Sequence, residues 1–357
     1  MIDAYFKGIA FSLVISLLLL CYPATAEDEV TFSAVGDVLL DRGIRNWIRR
    51  EGLNYPFANV AEYIRGRDIA FCNLECQVSS HGEPLEKLYT FRGDINYLDA
   101  VGAAGFDILS LANNHSLDFG RDALLDTIYE INVRGMRPAG AGKNRLQASI
   151  PAFIKKKGIR FAFIASNQIV TVGIQADPRK PSSWDAPVDE IIRIVKLVRP
   201  FVEYVVVSLH WGVEFSAKPG KKQVGDAHKI IDAGADIVIG HHPHTIQAIE
   251  IYKNCIILYS LGNFLFDQHE PPGNVGMIFE CAFTREGIKE AALIPVLTQR
   301  CRPGFLAEEE SRAVLEGLKV ISSGSYSKGV FKEGKIILPE FRNAMLMMDK
   351  KSSKSKK

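Results

Sequence analysis

Two hydrophobic periods alternate along the chain. Short, near-continuous apolar runs occupy 30–35, 69–73, 108–112, 160–165, 204–209, 236–239, 255–260 and 276–283. Such runs are strands buried on both faces, which require helices outside the sheets. Between them, 57–65, 97–104, 123–133, 188–198 and 224–233 read as amphipathic helices. Gly105, Gly135 and Gly234 stand where helix C-caps belong, and Pro200 stops the fourth helix. The alternation predicts an α/β layered domain. A strand at 291–297 and a closing helix at 307–321 are expected to finish it, and no fixed-period repeat is visible. The stretch 175–187, rich in Pro, Ser and Asp, reads as a surface loop, and its Trp184 suits a cover.

In α/β sheets, ligands sit beyond the carboxyl ends of the strands. Nearly every apolar run here stops at residues that ligate or hydrogen-bond. They are Gly36-Asp37, Asn73-Leu74-Glu75, Asn113-Asn114-His115, His210-Trp211-Gly212, Gly240-His241-His242-Pro243-His244 and Ser260-Leu261-Gly262-Asn263. Of eight histidines, five lie at these ends, which chance placement does not produce. Proline biases the residue before it toward extended backbone, so His242 is expected extended, with His244 projecting to the same side. Two imidazoles facing one point make half a metal coordination shell. Imidazole, carboxylate and amide oxygen together suit Mn, Zn or Fe rather than Ca. His81, His228 and His269 lie outside this set and read as ordinary. His241 does not fit the His-x-His spacing. Neither a phosphate-binding glycine loop nor a serine nucleophile elbow is present.

Composition narrows the class. With 357 residues, 47% hydrophobic, 24% charged and a formal net charge of +2, the chain suits one large globular domain or two smaller ones. No basic face stands out, which argues against a nucleic-acid partner. Lys7 precedes an apolar run at 9–20, and Ala24-Thr25-Ala26 follows with small residues. That is the pattern of a signal peptide over 1–26, with export to the periplasm or beyond. Left uncleaved, the segment would anchor the chain. A main domain over 27–300, a C-terminal helix and strand extension over 301–349 and a disordered basic tail over 350–357 complete the expected division. The five cysteines after residue 27 show no disulfide framework, with a single bridge left open, and Cys72 and Cys76 lack the second pair a metal site needs.

The ordered motifs carry a resemblance. Asp, then an acid, then Asn-His, then His, then His-x-His is similar to the calcineurin-like metallophosphoesterases. More closely, Gly36-Asp37, Asn73-Leu74-Glu75, the run from Ala112 through Asn114-His115 to Asp118 and Gly120, His210-Trp211-Gly212-Val213-Glu214, Gly240-His-His-Pro-His244 and Tyr259-Ser-Leu-Gly-Asn263-Phe264 resemble the poly-γ-glutamate capsule-synthesis (CapA) family. The likeness spans roughly 31–268. It implies a metallophosphatase-like four-layer sandwich, two packed mixed β-sheets flanked by helices, and cell-envelope work on capsule or polyglutamate polymers.

Carried over by residue, the resemblance makes Asp37 a first-site metal ligand and puts Glu75 near the bridging carboxylate. Asn114 ligates through its amide oxygen, His210, His242 and His244 complete the shell, and His115 donates a proton to the leaving group. The chain departs from the phosphoesterase pattern at Leu39, where a histidine is wanted, and at Asn73-Leu74-Glu75, where the pattern has Gly-Asp. The second position, from Asn114, His210 and His242, is intact, and the first is short of a ligand, leaving one or two divalent ions (Mn, Fe or Zn). Arg42 and Arg92 are candidates for gripping a substrate carboxylate or phosphate. Asp118 and Glu214 are candidates to orient histidines, Asn73 to support the ligands from behind, and Asn263 to hydrogen-bond at the pocket rim. Two functions stay open. One is metal-dependent hydrolysis of a phosphoester or a polyglutamate-type amide. The other is a non-catalytic polymer-binding or scaffold role in a membrane capsule-assembly complex.

Overall fold

The computed structural model describes residues 29–170, 177–322, 330–332, 335–338 and 341–342. The expected signal segment and basic tail lie outside them. The first apolar runs form parallel strands β1 (Val30–Val38), β2 (Ile69–Leu74), β3 (Ile108–Ser110) and β4 (Arg137–Ala139). The chain then builds a second sheet from β5 (Ala152–Lys156), β6 (Ile159–Asn167), β7 (Tyr204–His210), β8 (Ile237–His241), β9 (Ile249–Tyr252) and β10 (Cys255–Leu258). It returns to the first sheet with β11 (Asn263–Leu265), β12 (Val275–Phe283), β13 (Gly287–Gln299) and β14 (Lys335–Leu338). The first sheet is mixed and eleven-stranded, and its central path runs β14-β13-β12-β1-β2-β3-β4. The second is mixed and six-stranded, in the order β9-β10-β8-β7-β6-β5.

Three apolar layers hold four structural layers together. Between the sheets, Phe32, Phe71 and Phe279 of the first pack with Phe161, Phe163, Tyr204 and Ile239 of the second. The outer face of the first sheet is covered by helices α1 (Gly43–Glu51), α2 (Ala61–Arg65), α3 (Tyr97–Ala104) and α4 (Gly120–Val133), through Ile44, Ile64, Leu98 and Leu124. The outer face of the second is covered by α5 (Val188–Val198) and α6 (Lys221–Asp232), through Ile191, Val195, Ala227 and Ile230. This is the expected four-layer sandwich, two packed mixed sheets flanked by helices. Helix α7 (Glu308–Ile321) sends Leu315 and Leu318 into the inter-sheet core beside Leu338 of β14.

Differences from the sequence reading have local causes. The stretch 57–65 divides into a 3₁₀ turn, Tyr55–Phe57, and the short α2. Helix α1 is not apparent in the sequence because only Ile44 and Ile48 of its nine residues are buried and no side chain caps it. The described cysteines, Cys72, Cys76, Cys255, Cys281 and Cys301, are all buried free thiols, so the bridge left open does not form among them. Trp184 is not a cover but a core residue, packed against β6 and α5.

The inter-sheet aromatics set a stability expectation. Phe163 lies 5.8 Å from Phe32 and 6.1 Å from Phe71, ring to ring. Phe163→Ala should cost about 3–5 kcal/mol in denaturant unfolding. Phe153→Ala, on a strand of the same sheet but 44% exposed, should stay within about 1 kcal/mol of the parent.

Candidate metal centre

The parallel strands of both sheets end at one place, and their last residues meet there. Gly36 permits the tightest approach, because a Cβ on it would land inside the Gly262 carbonyl oxygen. That closeness pairs Asp37 with Asn263 of β11 and carries Asp37 to the end of β1. Asp37 is fully buried. Its Oδ1 accepts from Asn73 Nδ2 at 2.9 Å, and its Oδ2 accepts from the backbone N–H of His242 at 3.2 Å. Asn73 is held in turn by Asn113, whose Nδ2 donates to Asn73 Oδ1 at 3.1 Å.

Glu75, one residue past β2, stands at the centre. Both of its carboxylate oxygens are buried and have no hydrogen-bond partner. Its Oε1 lies 3.7 Å from Nε2 of His210, 3.7 Å from Nε2 of His244 and 4.0 Å from Nε2 of His115. Those separations are too long for hydrogen bonds. They match ligands sharing one ion, since donor atoms about 2.0–2.2 Å from a metal sit roughly 3–4 Å apart. Two ligand sets lie within 4.8 Å, Glu75 with His242 and His244, and Asp37 with Glu75 and His210. Glu75 belongs to both, as a bridging carboxylate would. Asn114 adds an amide oxygen 2.7 Å from His210 Nε2. An uncompensated buried carboxylate amid imidazoles is a donor set that fits a divalent cation.

The histidines reach this point by a route other than the extended one expected. His242 has φ 94 and His244 φ 55, both on the left-handed side that favours glycine. Contacts impose this backbone, since the His242 N–H goes to Asp37 and the Pro243 carbonyl accepts from Phe215 N–H at 2.7 Å. Strain of this kind persists where surrounding structure over-determines it.

Around the cluster, charge is distributed unevenly. Burial pushes the Asp37 carboxyl up, but His241 and His244 beside it hold it well below its ordinary value. Burial and the Asp37 charge drive Glu75 well above its own. His242 falls to about 4 through burial and its neighbour His244. His244 resists its burial and rises to about 9, because it faces Glu75 and Asp37 and its Nδ1 lies 2.9 Å from Asn263 Oδ1.

His115 sits at the rim with its Nδ1 2.7 Å from Asp118 Oδ2 and its ring 4.2 Å from that of Phe91. Asp118 also accepts from the Phe91 N–H at 2.7 Å and pairs with Lys87, which in turn donates to the Asn114 carbonyl at 3.0 Å. Lys87 has no apparent signal in the sequence. It comes from an irregular segment, and only the fold lays that segment over His115. Arg42, at φ 56, lies at the rim over Tyr89 and Phe91 and pairs with Asp267 at 3.2 Å. Arg92 is not aimed at the cluster. Its guanidinium donates to the carbonyls of His81 and Gly82 and lies over the Phe119 ring. Glu214 is exposed on the loop after β7. His81 and His228 pair with Asp126 and Glu250, and His269 pairs with Asp267, the partner of Arg42; none of the three contacts Glu75 or Asp37. A cleft of about 510 Å³ is lined among others by Leu117, Arg121, Arg145 and Gln168, and none of the cluster residues lines it.

Residues 31–268 match the family described as bacterial capsule synthesis protein PGA_cap. The chain belongs to this family. Among PGA_cap-type relatives, it is 32% identical over 250 residues to the capsule biosynthesis protein CapA of Bacillus anthracis, covering 68% of this chain and 61% of that protein. It is 29% identical over 246 residues to the PGA biosynthesis protein CapA of Bacillus subtilis, covering 68% and 65% respectively. The chain therefore matches less than two thirds of the length of either. A calcineurin-like phosphoesterase structure from Bacillus subtilis aligns at TM-score 0.41 and 13% identity over 78% of this chain and 88% of that one, too remote to carry residue roles across.

The electrostatics of this PGA_cap centre predict a proton count. His244, held at about 9 against an ordinary 6.5, is protonated at pH 7.5 and must lose its proton to ligate. Uptake of Mn²⁺ or Zn²⁺ by metal-free protein should therefore release protons and tighten as pH rises toward 9. Calorimetry in buffers of different ionisation enthalpy reads this directly, and a buffer-independent heat would contradict it.

Proposed function

We propose that this chain is an exported metal-dependent hydrolase in the biosynthesis of an anionic envelope polymer, acting on a phosphoester or a polyglutamate-type amide. The observation that carries the reading is Glu75, buried with both oxygens unpartnered among three imidazoles. A cation is the group that such a carboxylate lacks. A divalent ion (Mn, Fe or Zn) bound there supplies Lewis acidity toward a scissile carbonyl or phosphoryl group.

The chain's own side chains supply the rest. Asp37, Glu75, Asn114, His210, His242 and His244 would hold the ion or ions. His115 presents Nε2 toward the centre while Asp118 engages Nδ1, an arrangement suited to giving a proton to a leaving oxygen or nitrogen. Arg42 offers a half-exposed guanidinium for a substrate carboxylate or phosphate. The capsule and PGA biosynthesis roles named for the relatives support an anionic polymer as substrate. One observation favours the non-catalytic alternative, a polymer-binding part of a membrane assembly complex. Leu39, where a ligand is wanted, lies in the apolar layer with Val38 and Leu40.

His115→Ala should retain bound metal and lose about 10²–10⁴-fold in turnover of phosphoesters or γ-glutamyl polymers. His210→Ala should lose metal and turnover together. Polymer binding that is indifferent to metal, with no turnover of any of these substrates by the metal-loaded parent, would favour the scaffold.

A further inference from the structure

We propose that His241 is the ligand that replaces the histidine missing at Leu39, so that two ions are held where the sequence motif accounts for one complete position. The inference rests on the metal-dependent reading above and concerns the completeness of the site.

His241 ends β8 and is 1% exposed. Strand alternation puts it on the face that carries Ile237 and Ile239, toward the inter-sheet core, and its ring lies 6.0 Å from that of Phe71. In register it stands beside His210 on β7. Its Nδ1 is 3.2 Å from Asp37 Oδ1, yet neither ring nitrogen makes a hydrogen bond. A buried imidazole whose Nδ1 has only the Asp37 carboxylate at 3.2 Å and whose Nε2 has no partner is costly unless something else engages it. The 3.2 Å between Nδ1 and the carboxylate oxygen is a separation that two ligands of one ion adopt. Asp37 is already the residue that the first position requires, so His241 adds an imidazole on the side that Leu39 left without one.

The compensation follows from the backbone. Leu39 lies beyond the end of β1, its N–H bonded to the Leu265 carbonyl at 2.8 Å, and its side chain is wholly in the apolar layer under the helices. His241 arrives from the opposite sheet instead. The double histidine before Pro243 thus has a division of labour, with His242 turned to Glu75 and His241 to Asp37. A purely structural His241 would hydrogen-bond Asp37 and leave the number of ions unchanged.

The two roles are separated by stoichiometry. Metal-free protein, loaded with Mn²⁺ and dialysed, should carry two equivalents and show the electron paramagnetic resonance spectrum of a spin-coupled pair. His241→Asn should carry one equivalent and an uncoupled spectrum, while His269→Ala remains like the parent. Should His241→Asn not fold, the parent decides alone. Crystals soaked in Zn²⁺ and measured at its absorption edge should place one of two ions about 2.0–2.1 Å from a His241 nitrogen. Two equivalents in His241→Asn, or a single ion in the parent, overturns this assignment and leaves the hydrolase reading standing. No ion in the parent overturns both.

Discussion

Two carboxylates, Asp37 and Glu75, are taken out of water into one pocket, and the arrangement around them answers to that charge. Like charges in a low-dielectric site raise each other's proton affinity, and desolvation adds to it. Asp37 is relieved by an amide donor, a backbone N–H and nearby imidazoles. Glu75 has imidazoles only at 3.7–4.0 Å and accepts no hydrogen bond, so burial and the Asp37 charge drive it toward its neutral form. The asymmetry makes Glu75 the position at which added positive charge has the largest effect.

The four-layer architecture is what allows such a pocket to exist. The central strands of each sheet, such as β2, β7 and β8, are buried along their length and place most of their polar residues at their ends. Two sheets packed face to face bring those ends together from two directions. Asp37, Asn73 and Glu75 come from the first sheet, and His210, His241 and His242 from the second. The aromatic layer beneath them, from Phe71 and Phe163 to Phe32, fixes the distance between the sheets and with it the spacing of the ligands. At the rim, Asp118 joins His115, Lys87 and the Phe91 backbone, tying an irregular segment to the reactive imidazole.

Much of this was legible along the chain. Helices α3 and α5 match their expected bounds, and β7 and β12 exceed theirs by one residue. The residues at the strand ends do converge, because the parallel strands of both sheets stop at the same edge of the sandwich. Lys87 and the part taken by Arg92 were not legible, since both depend on how a loop without periodicity lies over the site. The His-x-His spacing that passes over His241 holds only in extended backbone. The segment does not stay extended: Asp37 and Phe215 pull His242 and Pro243 out of it.

By itself the sequence determined the layered class, the positions of the strand ends and the ligand types gathered there, because these follow from periodicity and burial within short windows. Only the tertiary structure decided which nitrogen meets which oxygen, that Leu39 faces the apolar layer and that His241 faces Asp37. Those outcomes depend on contacts between residues up to about two hundred positions apart, such as the His242 N–H to Asp37 bond at a separation of 205. No local pattern encodes them, for they arise only when two sheets pack and their ends share one buried charge.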